Sequence, residues 1–356
     1  MRILYGIQGT GNGHLSRARK IVPILKEFAE VEVILSGTQS QLDANFTIDY
    51  QFSGLPFIAS KRGGIDYVGS ILKSHPYDLI RDIRKFPIKD YDLVISDFEP
   101  ISSWSALLRN VPCIELSHNV AVALKSSPKP PYKDKIGQYV LNHYCPSHLK
   151  FGFHFQKYTE DVFLPIIRDE VRELAVNDES YYLVYLPAYH DKKIIEVLSH
   201  FNANWIVFSK YAKAHYSNKN IEFHPIENDN FIQKLANASG VLCGAGFELP
   251  AEVLHLKKKL MVIPMEGQYE QWCNAYALRE LGIPFLPKLD LAAHRSINNW
   301  IQYAKPIAIQ YPETTREDIQ FVLNKSNVFF EEKNSSSENL KTSSIKNIFR
   351  HTFGSF

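Results

Sequence analysis

Three groups of side chains in this chain have the types and spacing that chemistry needs. The first is Gly9-Thr10-Gly11-Asn12-Gly13-His14, a glycine turn that ends in an imidazole. A helix beginning at such a turn disfavours the imidazolium, so His14 is a candidate general base near neutral pH. A helix cap or a backbone-bonded ring is the alternative. The second group begins at Gly244-Ala245-Gly246-Phe247, continues to Glu252 and closes with Gln268-Tyr269-Glu270-Gln271. Glycines turn the backbone with no Cβ in the way, and the helix start beyond them offers free amides and a positive dipole end to a phosphate or diphosphate. Glu252 is placed to reach a ribose hydroxyl, and Gln268, Glu270 and Gln271 are of the types that grip sugar hydroxyls. The third is Asp97, at the carboxyl end of the apolar run 90–97. It either orients a base or caps the helix that follows, with Glu99 as the next carboxylate in line.

These groups need a scaffold of alternating strands and helices. Arg2 to Gln8 is a strand, 15–30 an amphipathic helix with Ile21, Val22, Leu25 and Phe28 on its apolar face, and 111–116 a further strand ending at Ser117-His118-Asn119. His118 is a candidate acceptor contact or a satisfied loop histidine. Leu149 to Phe155 reads as the last strand of a first domain. The alternation restarts with strands at 181–186, 205–208 and 221–223. The loop with Ala188 follows the first of these, and Pro225-Ile226 follows the third. Val241 to Cys243 and Leu260 to Pro264 are buried strands flanking a helix opened by Pro250. A G-x-G-x-x-G dinucleotide site would need glycine where His14 stands and an acid closing the second strand, where Ser36-Gly37 stand.

The order Gly246, Glu252, Pro264, Glu270-Gln271, Asn274-Ala275 resembles the donor half of GT-B glycosyltransferases. The particular clan is that of the UDP-glycosyltransferases and the peptidoglycan N-acetylglucosaminyltransferase. The first loop, with Gly11, Asn12, Gly13 and His14, is similar to the loop that faces the acceptor there. The resemblance covers roughly residues 1–325. It implies an α/β protein with two facing Rossmann-like domains, a central cleft and a C-terminal helix crossing back to the first domain. It implies an inverting transferase moving a sugar from a nucleotide donor, uridine by analogy, to a glycan, glycolipid or small-molecule hydroxyl. His14 would be the base, Asp97 its orienter, Gly11, Asn12, Gly13 and His118 the acceptor side. Ala188, Ile226, Gly244, Ala245, Gly246, Phe247, Glu252, Gln268, Glu270 and Gln271 would form the donor side. One departure stands out: Glu248 and Leu249 occupy positions where relatives place Asn, Ser or Thr. A carboxylate beside a diphosphate repels it, so Glu248 is expected to turn away. An epimerase or a silent sensor on the same fold would share these features.

The expected division is 1–168, a linker at 169–180, a donor domain at 181–311, a crossing helix at 312–330 and a tail at 331–356. A length of 356 residues with 45% hydrophobic and 22% charged residues suits two globular cores, and a net charge of +2 argues against broad nucleic-acid binding. The four cysteines are widely spaced and imply neither disulfides nor a zinc site. No metal site and no cofactor are expected, the nucleotide sugar being a substrate. The expected location is cytoplasmic, with no apolar signal segment and no membrane span. Basic segments at 61–64 and 125–133 suit an anionic or lipid-phosphate acceptor or are solvated faces. The segment 341–353 is basic and amphipathic, and reads as either a membrane-surface helix or a disordered tail.

Overall fold

A computed structural model describes residues 1–9, 11–37, 44–54 and 76–333. The basic 61–64 loop and the tail from 334 onward lie outside the described residues.

The first sheet is built from β1 (Arg2–Gln8), β2 (Glu30–Ser36), β3 (Tyr50–Phe52), β4 (Leu93–Asp97), β5 (Cys113–Ser117), β6 (Leu149–Phe153) and β7 (Val162–Phe163). They lie in the order β3-β2-β1-β4-β5-β6-β7, all parallel. From β1 the chain winds out through β2 to β3, returns to β4 on the other side of β1, and then winds the opposite way. The reversal opens a crevice at the carboxyl ends of β1 and β4, where the first glycine loop and Asp97 emerge. The register Ile7↔Asp97 sets them side by side.

The second sheet comprises β8 (Tyr181–Tyr185), β9 (Asn204–Phe208), β10 (Tyr216–Asn218), β11 (Ile221–His224), β12 (Gly240–Gly244) and β13 (Lys259–Ile263), in the order β10-β11-β9-β8-β12-β13. Only the β10/β11 hairpin is antiparallel. Its reversal falls between β8 and β12, so the second crevice holds the glycine bend that follows β12. Burial follows the apolar runs: Trp205, Val207, Phe223, Leu242 and Met261 pack with Ile297 and Trp300 in the core of this lobe. The protein is thus α/β with two Rossmann-like lobes.

Three edge strands, β3, β7 and β10, are too short to show alternation in sequence. The expected strand at 149–155 ends at Phe153, and Val162–Phe163 pairs beyond it as the edge. Within the 169–180 stretch a short helix, Asp169–Arg172, precedes residues whose amides bond the second lobe, Asn177 to Ala236 O and Glu179 to Asn237 O. All four cysteines are buried thiols. From Thr314 onward the described residues belong to a separate unit and form a helix over 315–333. No helix among the described residues is long and apolar enough to cross a membrane.

Candidate active site

The helix Asn12–Lys26 starts at an N-cap, Gly11, that supplies no side-chain hydrogen bond, and it presents His14 in its first turn. Opposite stands Asp97, on a chain path turned sharply by Phe98, whose φ of 58° is a left-handed conformation rare for an aromatic residue. His14 Nδ1 lies 2.9 Å from Asp97 Oδ1. A carboxylate can only accept, so Nδ1 carries the proton and Nε2 is the nitrogen able to take another.

Asp97 is fully buried, and burial alone would push its pKa up. The guanidinium of Arg17, with His14, holds it below the ordinary carboxylate value. Arg17 grips Asp97 with Nε at 3.1 Å from Oδ2 and Nη2 at 2.7 Å from Oδ1. The same Nη2 is 3.1 Å from His14 Nδ1. Its remaining arm, Nη1, bonds Glu248 of the second lobe. Sequence reading missed Arg17; the signal it left is its place one helical turn after His14.

Glu99 is not available as a base or orienter. It is fully buried, caps the helix Pro100–Arg109 by accepting from the amides of Ile101 at 2.8 Å and Ser102 at 2.7 Å, and takes the Ser36 hydroxyl as well. The cap that Asp97 was free to supply therefore belongs to Glu99.

On the second lobe the helix Glu248–His255 begins at Phe247 with no side-chain cap. A Cβ built on Gly246 would meet nothing within 4 Å. Glu248, expected to turn away, instead faces the first lobe, and a Cβ on Gly13 would fall 2.4 Å from its Oε2. Only glycine at 13 lets the carboxylate approach this closely. Between the walls is a cavity of about 210 Å³ lined by Gly11, Gly13, His14, Gly246, Phe247, Glu248, Gln268, Glu270 and Gln271, with Gln8, Phe98, Asn119 and the apolar face of helix Lys135–His143 completing it.

Several expected site residues stand elsewhere. His118 is 3% exposed, not open to an acceptor: Nδ1 lies 2.8 Å from the Phe153 carbonyl, Nε2 2.8 Å from Asn274 Oδ1, and the ring stacks on Phe247 at 3.9 Å. Burial lowers its pKa. It joins the lobes. Glu252 does not line the cavity; both oxygens sit in the fork of Arg168 at 2.6 and 2.9 Å, and burial raises its pKa against that cation. Ala188, Ile226, Gly244, Ala245 and Asn12 are also outside the lining. The amide of Ala245 is spent on Ile263 O at 3.2 Å, which leaves the free amides of the bend to the residues after it. Gln271 turns one oxygen to the Met265 amide at 2.9 Å, and Glu270 accepts from Asn119 at 3.4 Å. In the 125–133 loop, Ser127 is buried and the Lys129 ammonium donates to Leu124 O at 2.9 Å, so this lysine is structural. Lys125 and Lys133 are exposed.

No metal-ligand set lines the cavity among the described residues. One trio elsewhere, His215, Glu222 and His224 on the β10/β11 hairpin, has its ligand atoms within 4.8 Å of one another. Cross-strand pairing assembles it, which is why spacing along the sequence did not suggest it.

Two Rossmann-like lobes meet over an imidazole–carboxylate pair and an uncapped helix end, which is the architecture of the GT-B fold. The model of glycosyl transferase family 1 matches residues 1–303, and the chain belongs to that family. Among solved structures it is similar to UGT89C1 of Arabidopsis thaliana complexed with UDP, at 12% identity and a TM-score of 0.56, over 91% of this chain and 94% of that one. It is also similar to MurG of Acinetobacter baumannii, at 12% identity and a TM-score of 0.55, over 91% and 99%. At such identity the likeness speaks to the fold. A search of curated proteins finds no match.

Proposed function

We propose that this glycosyltransferase moves a sugar from a nucleoside diphosphate, uridine diphosphate foremost, to an acceptor hydroxyl by one inverting displacement. The observation that carries the reading is the 2.9 Å His14–Asp97 pair on one wall of the cavity, facing the uncapped start of helix Glu248–His255 on the other. His14 Nε2 takes the proton of the acceptor hydroxyl as its oxygen bonds to the anomeric carbon. The carbon–oxygen bond to the diphosphate breaks on the opposite face, and the leaving charge falls to the amides beyond Gly246. Asp97 fixes the tautomer and stabilises the imidazolium that forms. Glu270 and Gln271 hold the sugar so that attack is in line. Amides meeting the diphosphate make a bound cation unnecessary, and a chelator should leave turnover intact. The complex of UGT89C1 with UDP supports the uridine assignment. The acceptor enters along the first lobe, where exposed Lys125 and Lys133 favour an anionic glycan or lipid-phosphate.

A thermal-shift panel of nucleotide sugars tests this, followed by turnover of the stabilising donor with and without acceptor extract. Stabilisation by a UDP-sugar and release of UDP only with acceptor are expected. Conversion of the donor into a different sugar nucleotide without acceptor would mark an epimerase, and stabilisation by NADP alone would overturn the assignment.

A further inference from the structure

The Arg17–Glu248 pair is an unusual thing to find across a substrate cleft. Arg17 is 3% exposed, and two of its nitrogens are committed to Asp97; the third reaches over to a carboxylate of the opposite lobe. Glu248 lines the cavity while Arg17 does not, so the carboxylate covers the guanidinium from the cavity side. The pair is supported sterically as well, because the absence of a side chain at Gly13 is what admits the Glu248 carboxylate. Around it the lobes are drawn together by His118 with Asn274, by Gln138 with Tyr269 at 3.1 Å, and by a shared apolar cluster of Phe98, Val122, Leu141, Tyr269 and Cys273. The resulting cavity, about 210 Å³, is below the roughly 300 Å³ at which sites for drug-sized ligands begin.

We propose that Glu248 is a displaceable stand-in for the donor's diphosphate, closing the empty cleft on Arg17 and leaving when the diphosphate takes that guanidinium. This rests on the donor reading above and deepens it. Asp97 and Glu248 carry two negative charges against one on Arg17. A diphosphate arriving with Glu248 still in place would add repulsion, whereas in exchange for it the diphosphate restores a bidentate-capable anion to the vacated nitrogen. The exchange also accounts for a carboxylate at a position where repulsion would otherwise exclude it. It links donor arrival to the imidazole pair, because the cation released by Glu248 is the one gripping Asp97.

Calorimetric titration of the full chain with uridine diphosphate, thymidine diphosphate and uridine tests the exchange, comparing the unaltered protein with Glu248→Gln and Glu248→Ala. The alanine variant covers the case in which a glutamine still bridges to Arg17. Removing the competing carboxylate should tighten the preferred diphosphate by roughly tenfold and uridine, which carries no phosphate, by clearly less, since both gain from the opened cleft and only the diphosphate gains the guanidinium. Equal or weaker diphosphate binding by both variants overturns the inference, and so does uridine tightening by the same factor, which would mean only that the lobes had loosened. If the unaltered protein binds the diphosphate and the variants gain nothing, this inference alone falls. If no form of the protein binds either diphosphate, the donor reading falls and takes it along.

Discussion

The two walls of the cleft are finished to different degrees. On the first lobe the carboxylates nearest the imidazole already have their partners: Asp97 is held by Arg17 and His14, and Glu99 is consumed by its own helix start. On the second lobe the helix at Glu248 has no side-chain cap, Gly246 faces open space, and Glu270 has just two loose contacts among the described residues, a 3.4 Å bond to Asn119 and His118 Nε2 at 3.8 Å. A base must be aimed before the substrate comes, since reorganising it during the reaction would add to the barrier. Groups that receive a ligand are left wanting partners until it comes. The difference teaches that the first lobe carries orientation in its fold and the second leaves it to the donor.

Breaking the first wall should be the more damaging. Arg17→Ala leaves the buried Asp97 with His14 as its one remaining ionic partner, and loss of one partner of a buried pair costs up to about 3–5 kcal/mol, to be read from urea unfolding. His14→Ala should cut turnover roughly a hundredfold or more, with donor affinity from calorimetry nearly unchanged. Full activity in that variant would move the base elsewhere. Acidification probes the buried rings. Burial drives the pKa of both His118 and His154 below the 6.5 of an unfolded histidine. Between those values the unfolded chain binds more protons, so stability is complete above about 6.5 and falls as pH drops toward 5, by up to about 1.4 kcal/mol per pH unit for each ring. Melting temperatures measured from pH 7 to 5 should decline accordingly. The smallest effect is expected on the second wall: Glu270→Gln should raise the donor KM several-fold, with stability unchanged, since one ligand bond is worth about 1 kcal/mol.

These asymmetries also mark what was legible in the sequence. Glycine bends, apolar strands and the positions of His14, Asp97, Gly246, Glu270 and Gln271 could be read because each is a local pattern: a turn, a period or a spacing within one strand–loop–helix unit. The edge strands were too short to show a period. Arg17 escaped because its partners lie 80 and 231 positions away, and nothing local says which way a helical side chain points across a cleft. The partners of His118 and Glu252 were hidden for the same reason. Their types suited a ligand, but Asn274 and Arg168, brought close only by the fold, claim them first. Glu99 stood next in line to Asp97 on paper; the backbone turn at Phe98 sends one buried carboxylate to its own helix start and the other to His14 and Arg17.

A crystal structure of the complex with uridine diphosphate puts the central claim to its most direct trial. The account predicts the diphosphate on the amides of Gly246, Phe247 and Glu248, with His14 facing it across a widened cleft. A diphosphate bound elsewhere, with that helix start still shut against the first lobe, would contradict it.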